Sequence, residues 1–245
     1  MANAPILILL NSGGSSLARM LPLWGHFGSV ICADGGANFL YDSAPASERG
    51  RFIPAAIKGD LDSLRPEVGE YYAARGCSVL RDADQDTNDL EKCILLVQEL
   101  QAAGNGRAEH GVDVVVYGAF GGRFDQQMSS VHALYKFRDS PSIMRIVLLG
   151  EGNAAQLLGP GKHRVALTAR EGPGCSLLPI GGPCVVSTKG LQWDMQQARL
   201  EFGGLISSSN RAVRREEPGK EGGEGAYTVD IECDGHVVWC CDVSI

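Results

Sequence analysis

CSVLRDADQDTNDLEKCILLVQEL, residues 77–100, holds the pieces from which the fold can be read. CSVL is a short apolar run of strand type. DADQDTNDLEK, residues 82–92, gathers five acids in eleven positions. LEKCILLVQEL then places Leu90, Cys93, Ile94, Val97 and Leu100 at helical spacing. A strand running through a polar turn into a helix is the repeating unit of a parallel sheet. The same unit appears on either side. PILILLN, SVICA, AAIKG, DVVVYGA and MRIVLLG read as further strands, and MSSVHALYKF carries Val131, Leu134, Tyr135 and Phe137 at helical spacing. Strands apolar throughout, with helices between them, predict a largely parallel sheet covered on both faces.

The texture changes near Glu151. HRVALT, CSLLPI, VVSTKG, RLEFGG, LISSSN, YTVDIEC and HVVWCCDV are short, rich in β-branched residues and separated by Gly and Pro. They predict a smaller all-β domain, a sandwich or a barrel. Asp234-Gly235 between two such runs predicts a closing hairpin. The segment 214–225, RREEPGKEGGEG, reads as a solvated hairpin loop. The expected domains are 1–153, α/β, and 154–245, all-β.

Composition narrows the function. Acids outnumber bases by 29 to 22, for a net charge of −7. That argues against a partner such as duplex nucleic acid, which calls for a basic face. The eight cysteines show no CxxC pair or zinc-like spacing, which points to reduced thiols in a cytoplasmic protein. The opening MANAPILILL lacks a basic leading region and reads as a first buried strand rather than a signal peptide. No apolar stretch is long enough for a membrane span.

In open parallel sheets, ligands bind beyond the carboxyl ends of the strands. Four strands here end in distinctive loops. They are Asp34-Gly35-Gly36-Ala37-Asn38, Asp60-Leu61-Asp62-Ser63, the acidic stretch 82–92, and Phe120-Gly121-Gly122-Arg123-Phe124-Asp125. Parallel strands bring all four to one edge, and that arrangement suits metal-assisted phosphoryl transfer. Mg²⁺ is held by a few carboxylates plus substrate phosphates, so Asp60 and Asp62, joined by Asp89, are the candidate ligands. The glycines at 35, 36, 121 and 122 let backbone N–H groups approach phosphate oxygens. Lys92 and Arg123 can offset charge in the transition state.

Taken singly, each motif has a plainer explanation. Asp60-x-Asp62 can be an Asx turn. Asn88 and Glu91 stand at capping-box spacing. Arg123 and Asp125 can form a local ion pair, Trp193 can be sandwich core, and Asp82 and Asp84 can be solvated loop charges. The five histidines have no ligand-like spacing.

Taken in order, ADGGAN, GDLDS, QDTNDLEKC and GGRFDQ, followed by TKGLQWDM and LEFGGLISSSN, resemble the thiamin pyrophosphokinase family, in its eukaryotic form by Gln126. The resemblance spans residues 6–243. It implies a Rossmann-like N-terminal domain, a C-terminal β-sandwich and a homodimer whose active sites are shared between subunits. It implies transfer of pyrophosphate from ATP to the hydroxyl of thiamin, giving thiamin diphosphate and AMP with Mg²⁺. Carried over by position, Asp34, Asp60, Asp62 and Asp89 form the acidic metal and phosphate site. Asp34, Gly35, Gly36, Gln85, Lys92 and Arg123 bind the nucleotide. Asp60, Asp62, Asp89 and Asp125 are the catalytic acids, with Asp89 or Asp125 as proton acceptor. Trp193, Ser207, Ser209 and Asn210 form the thiamin pocket. The chain departs from the family at Asn88, commonly Thr, and at Asp194, often Asn; the latter charge either suits a cation or faces water. The competing readings are another metal-dependent phosphotransferase or phosphohydrolase, and a non-catalytic thiamin- or nucleotide-binding protein.

Overall fold

In a computed structural model of the chain, residues 4–11, 17–103, 111–214 and 227–244 are described. The chain divides into two compact units, residues 1–151 and 152–245. Most of the charged segment 214–225 lies outside the described residues.

The first unit is built on six parallel strands: β1 (Ile6–Leu9), β2 (Ser29–Ala33), β3 (Ala56–Gly59), β4 (Ser78–Arg81), β5 (Val112–Tyr117) and β6 (Ile143–Gly150). Their order is β6-β5-β1-β2-β3-β4, and each pairing is parallel. The chain therefore winds outward from β1 in one direction, then returns to lay β5 on its other side. That reversal opens a crevice at the carboxyl ends of β1, β2 and β5. All four residues of β1 are buried, as its unbroken apolar sequence requires.

Among the described residues four α-helices lie between the strands from β2 to β6: α1 (Gly36–Ser43), α2 (Pro66–Ala73), α3 (Asp89–Ala103) and α4 (Phe124–Lys136). The helical periodicity of the last two is visible in sequence. The first two have eight residues each, too few turns for periodicity to stand out. Pro66 occupies the first turn of α2, where its missing N–H leaves no partner unsatisfied. Among the described residues no helix is long and apolar enough to cross a membrane.

Among the described residues the second unit contains eight strands, paired with one another antiparallel in two sets of four. The strands are β7 (Asn153–Leu158), β8 (Gly161–Leu167), β9 (Glu171–Leu178), β10 (Cys184–Lys189), β11 (Ala198–Leu200), β12 (Ser207–Arg211), β13 (Tyr227–Cys233) and β14 (Val237–Val243). One set is ordered β12-β9-β14-β7 and the other β11-β10-β13-β8. The core comes from alternate residues such as Val229 and Ile231 of β13. β14 buries three consecutive residues, Val237, Val238 and Trp239.

One expectation fails here. Asp234-Gly235 does not close a hairpin: β13 pairs with β8 and β10, whereas β14 pairs with β7 and β9. The turn carries the chain from one sheet to the other. Asp234 Oδ1 accepts a 2.7 Å hydrogen bond from the N–H of Val185, anchoring the turn to β10 instead. β7 was also not apparent in the sequence, because NAAQLL lacks β-branched residues.

The start of α1 passes very close to β1. A Cβ on Gly36 would lie 2.3 Å from the carbonyl oxygen of Leu9, a backbone atom that cannot swing away. Gly36→Ala is expected to destabilise the chain by about 2 kcal/mol or more. Urea unfolding would register this as a lower midpoint at unchanged slope.

Candidate active site

A cavity of about 570 Å³ lies at the carboxyl ends of the parallel strands. Its lining draws on the four strand-end loops singled out in the sequence: Asp34 and Gly35, Asp60 and Ser63, the acidic stretch through Asp84, Gln85, Asp89 and Lys92, and Gly121 to Arg123.

Three carboxylates meet there. One oxygen from each of Asp34, Asp60 and Asp89 lies within 4.8 Å of the others. The residue at their centre is Gly59, the last of β3. A Cβ on it would stand 2.8 Å from Asp34 Cβ and 2.9 Å from Asp89 Oδ1. Asp34 sits in the left-handed region, with φ 41°, just past β2. Its N–H donates to the Lys58 carbonyl at 3.0 Å, which ties the end of β2 to β3. Asp34 is only 3% exposed; its Oδ2 accepts from the Ser63 N–H, while its Oδ1 is buried with no hydrogen-bond partner among the described residues. Burial pushes the Asp34 carboxyl above its ordinary range, the Ser63 N–H opposes this, and Asp89, Asp60 and Asp62 raise it further.

Asp60 and Asp62 form the Asx turn expected of their spacing. Asp60 Oδ1 accepts from the Asp62 N–H at 3.2 Å, across Leu61 at φ 65°. That N–H holds Asp60 below its ordinary range, assisted by the Gln85 amide and by Lys92. Asp62 is exposed, accepts from Ser63 Oγ at 3.0 Å and stands outside the group of three. Asp89 opens α3. Burial raises its carboxyl, and Lys92, one turn on, opposes that. Lys92 is 2% exposed, with Nζ 3.7 Å from Asp89 Oδ1.

The charge of the acidic stretch is distributed among local partners. Asp82 pairs with Lys58 at 2.9 Å and is half-buried, not a freely solvated loop charge. Asp84 accepts from Thr87 Oγ1 and from the Asp86 N–H. Asn88 Oδ1 caps α3 through the Glu91 N–H at 2.9 Å. The reciprocal half of the capping box is absent, because Glu91 instead pairs with Lys136 of α4 at 2.9 Å. Arg123 forms a forked ion pair with Asp125 at the start of α4, and both are exposed. This pairing holds the Asp125 carboxyl low. Arg123 lines the cavity while Asp125 does not; Asn11, Gln126, Ser129 and Ser130 join the lining without a chemical signal in the sequence.

An unpartnered buried carboxylate oxygen, two acids whose proton affinity is raised by burial and by neighbouring carboxylates, and an all-oxygen donor set suit a hard divalent cation. The adjoining lysine and arginine suit phosphate.

The second unit has its own cavity, of about 520 Å³, lined by Trp193, Ser208, Ser209, Asn210, Arg211 and Asp242 among others. Trp193 is 56% exposed and is not core; that place belongs to Trp239. Asn210 is buried and clamps the loop that presents the tryptophan. Its Oδ1 accepts from the Trp193 N–H, and its Nδ2 donates to the Trp193 carbonyl at 2.9 Å and to Ser207 Oγ at 3.3 Å. Asp194 is exposed, yet its carboxylate is engaged within the protein. It accepts from Thr188 Oγ1, the Gly190 N–H and the Leu191 N–H, bracing the same loop.

Comparison with known proteins agrees with this geometry. Residues 20–148 match the family model described as thiamin pyrophosphokinase, catalytic domain, and residues 162–219 match the vitamin B1 binding domain of the same enzyme. Thiamine pyrophosphokinase 1 of Arabidopsis thaliana is 38% identical over 97% of this chain and 85% of its own length. Thiamine pyrophosphokinase 3 of Oryza sativa is 38% identical over 95% and 85%. The solved thiamin pyrophosphokinase of Candida albicans superposes with a TM-score of 0.82 at 25% identity, covering 99% of this chain and 90% of that one. On the family match across the catalytic half and the identity to plant relatives over nearly the whole length, the chain belongs to the thiamin pyrophosphokinase family.

Proposed function

We propose that this chain carries out the family's reaction, moving a pyrophosphoryl group from ATP to the hydroxyl of thiamin and releasing AMP, with the first unit as the catalytic site and the second as the thiamin site. The observation that carries the reading is the convergence of Asp34, Asp60 and Asp89, with an orphaned oxygen on Asp34 and a buried lysine alongside. Asp60 and Asp89, with Asp34 and Asp62 beside them, would hold Mg²⁺. The ion would supply charge neutralisation at the phosphate oxygens.

The remaining work falls to the chain itself. Gly35, Gly36, Gly121 and Gly122 offer backbone approach to phosphates at the crevice. Lys92 and Arg123 stabilise charge as it shifts toward departing AMP, and Gln85 helps to fix the nucleotide. The hydroxyl proton passes to a carboxylate of the site. Asp125 is the weaker acceptor of the two considered, because Arg123 lowers its affinity for a proton. Trp193 offers its face to the thiazolium and pyrimidine of thiamin, and Asn210, Ser207 and Ser209 hold the loop and supply hydrogen bonds.

The reading includes a homodimer in which the catalytic unit of one copy works with the thiamin-binding unit of the other. Trp193, Phe202 and Leu205 of the second unit are all more than half exposed, as an apolar surface awaiting a second copy would be. The eight free thiols, all but Cys240 buried, fit a reducing compartment such as the cytoplasm.

Incubation with ATP, Mg²⁺ and thiamin should yield AMP only when thiamin is present. ADP, or phosphate release independent of thiamin, would refute the reading. Asp60→Asn should lose more than about a hundredfold in turnover while melting cooperatively; Asp62→Asn, measured alongside, reports whether that exposed acid shares the ion. Trp193→Ala should raise the KM for thiamin by about 2- to 30-fold with little change in kcat. An unchanged KM would remove the ring from the pocket. At thiamin well below the raised KM, mixing Asp60→Asn with Trp193→Ala protein should give more activity than the two proteins assayed separately, since a mixed dimer holds one intact shared site. No recovery after exchange of subunits would place both sets of residues in one copy.

A further inference from the structure

Asp194, next to Trp193, is committed to the hydrogen bonds of its own loop. The carboxylate that reaches the cavity beside Trp193 is that of Asp242, on β14. Asp242 is exposed and lies between two less exposed residues, Cys241 and Val243. Asp242 is in register with Asn153 of β7, and Gly174 of β9 with Arg211 of β12.

Gly174 makes room for that carboxylate. A Cβ there would sit 2.1 Å from Asp242 Oδ2, so the oxygen occupies the space that a side chain at 174 would fill. The missing methyl lets the acid lie down across its neighbouring strand at the floor of the cavity. Arg211 lines the same cavity and would repel a cation; the carboxylate beside it offsets that charge. An exposed aromatic face and an anion in one cavity of about 520 Å³ match an aromatic, permanently cationic ligand.

We propose that Asp242 is a specificity-determining residue for thiamin, its carboxylate pairing with the positively charged thiazolium and Gly174 setting its position. This rests on the second unit being the thiamin site, as proposed above. Because the charge is present in thiamin before, during and after transfer, the contact contributes equally to ground state and transition state. It should therefore act on KM and leave kcat in place.

Steady-state AMP formation with thiamin varied at saturating ATP tests this. Asp242→Asn, which keeps size and shape, should raise the KM for thiamin about tenfold with kcat and the KM for ATP unchanged. Its preference for thiamin over an uncharged analogue with a reduced thiazole ring should fall by the same factor. Gly174→Ala leaves every charge in place but displaces the carboxylate, and should reproduce the effect. Unchanged KM and unchanged discrimination in Asp242→Asn would overturn the proposal, as would a loss confined to kcat. If the unmodified chain formed no AMP with thiamin, the functional reading itself would fail; an active chain indifferent to Asp242→Asn would sink only this inference.

Discussion

The structure of the first unit depends on one costly arrangement, three carboxylates brought together around a residue without a side chain. Gly59 ends β3, and the Cβ of Asp34 and the carboxylate of Asp89 close over the place where its own Cβ would be. Asp60 follows it directly in the chain. Burial raises the proton affinity of Asp34 and Asp89, and the neighbouring carboxylates raise it further. In the absence of a cation the site is a store of repulsion. With one, the same closeness becomes affinity, because each oxygen gains more from the ion than it loses to its neighbours.

Such a site needs a rigid frame. The parallel sheet fixes Asp34 and Asp60 at adjacent strand ends. Asp89 is on a helix, and α3 is held at its first turn by α4. Asn88 Nδ2 donates to Ser129 Oγ at 2.9 Å, and the nearly buried Glu91 takes Lys136 at 2.9 Å and His132 at 3.6 Å. These contacts come from one face of α4 and flank Asp89 on either side in sequence. The helix that contributes Ser129 and Ser130 to the cavity lining thus also steadies the acid across from them.

Much of this was legible in the sequence because burial on both faces leaves a plain signature. PILILL and DVVVY could only be interior strands, and fifteen residues of α3 give its periodicity room to show. The two eight-residue helices gave too little pattern to read. Asp234-Gly235 misled because turn chemistry is local, whereas the sheet each flanking strand joins is decided by distant partners. The four loops of the site were readable as strand ends meeting at one edge. Which acids converge was not readable from spacing: it places Asp60 and Asp62 near each other but does not aim their carboxylates, and Asp34, twenty-six positions before Asp60, was placed with them only by the family resemblance. The exposure of Trp193 and the bracing role of Asp194 likewise depend on a loop clamped by Asn210, whose partners are invisible from spacing alone.

The most direct test is a crystal grown with Mn²⁺ and a non-hydrolysable ATP analogue, with the ion located by its anomalous scattering. The account predicts a peak about 2.0–2.3 Å from carboxylate oxygens of the Asp34, Asp60 and Asp89 group and from the analogue's phosphates. An ion bound through phosphates alone, with those three carboxylates turned away from it, would contradict the account.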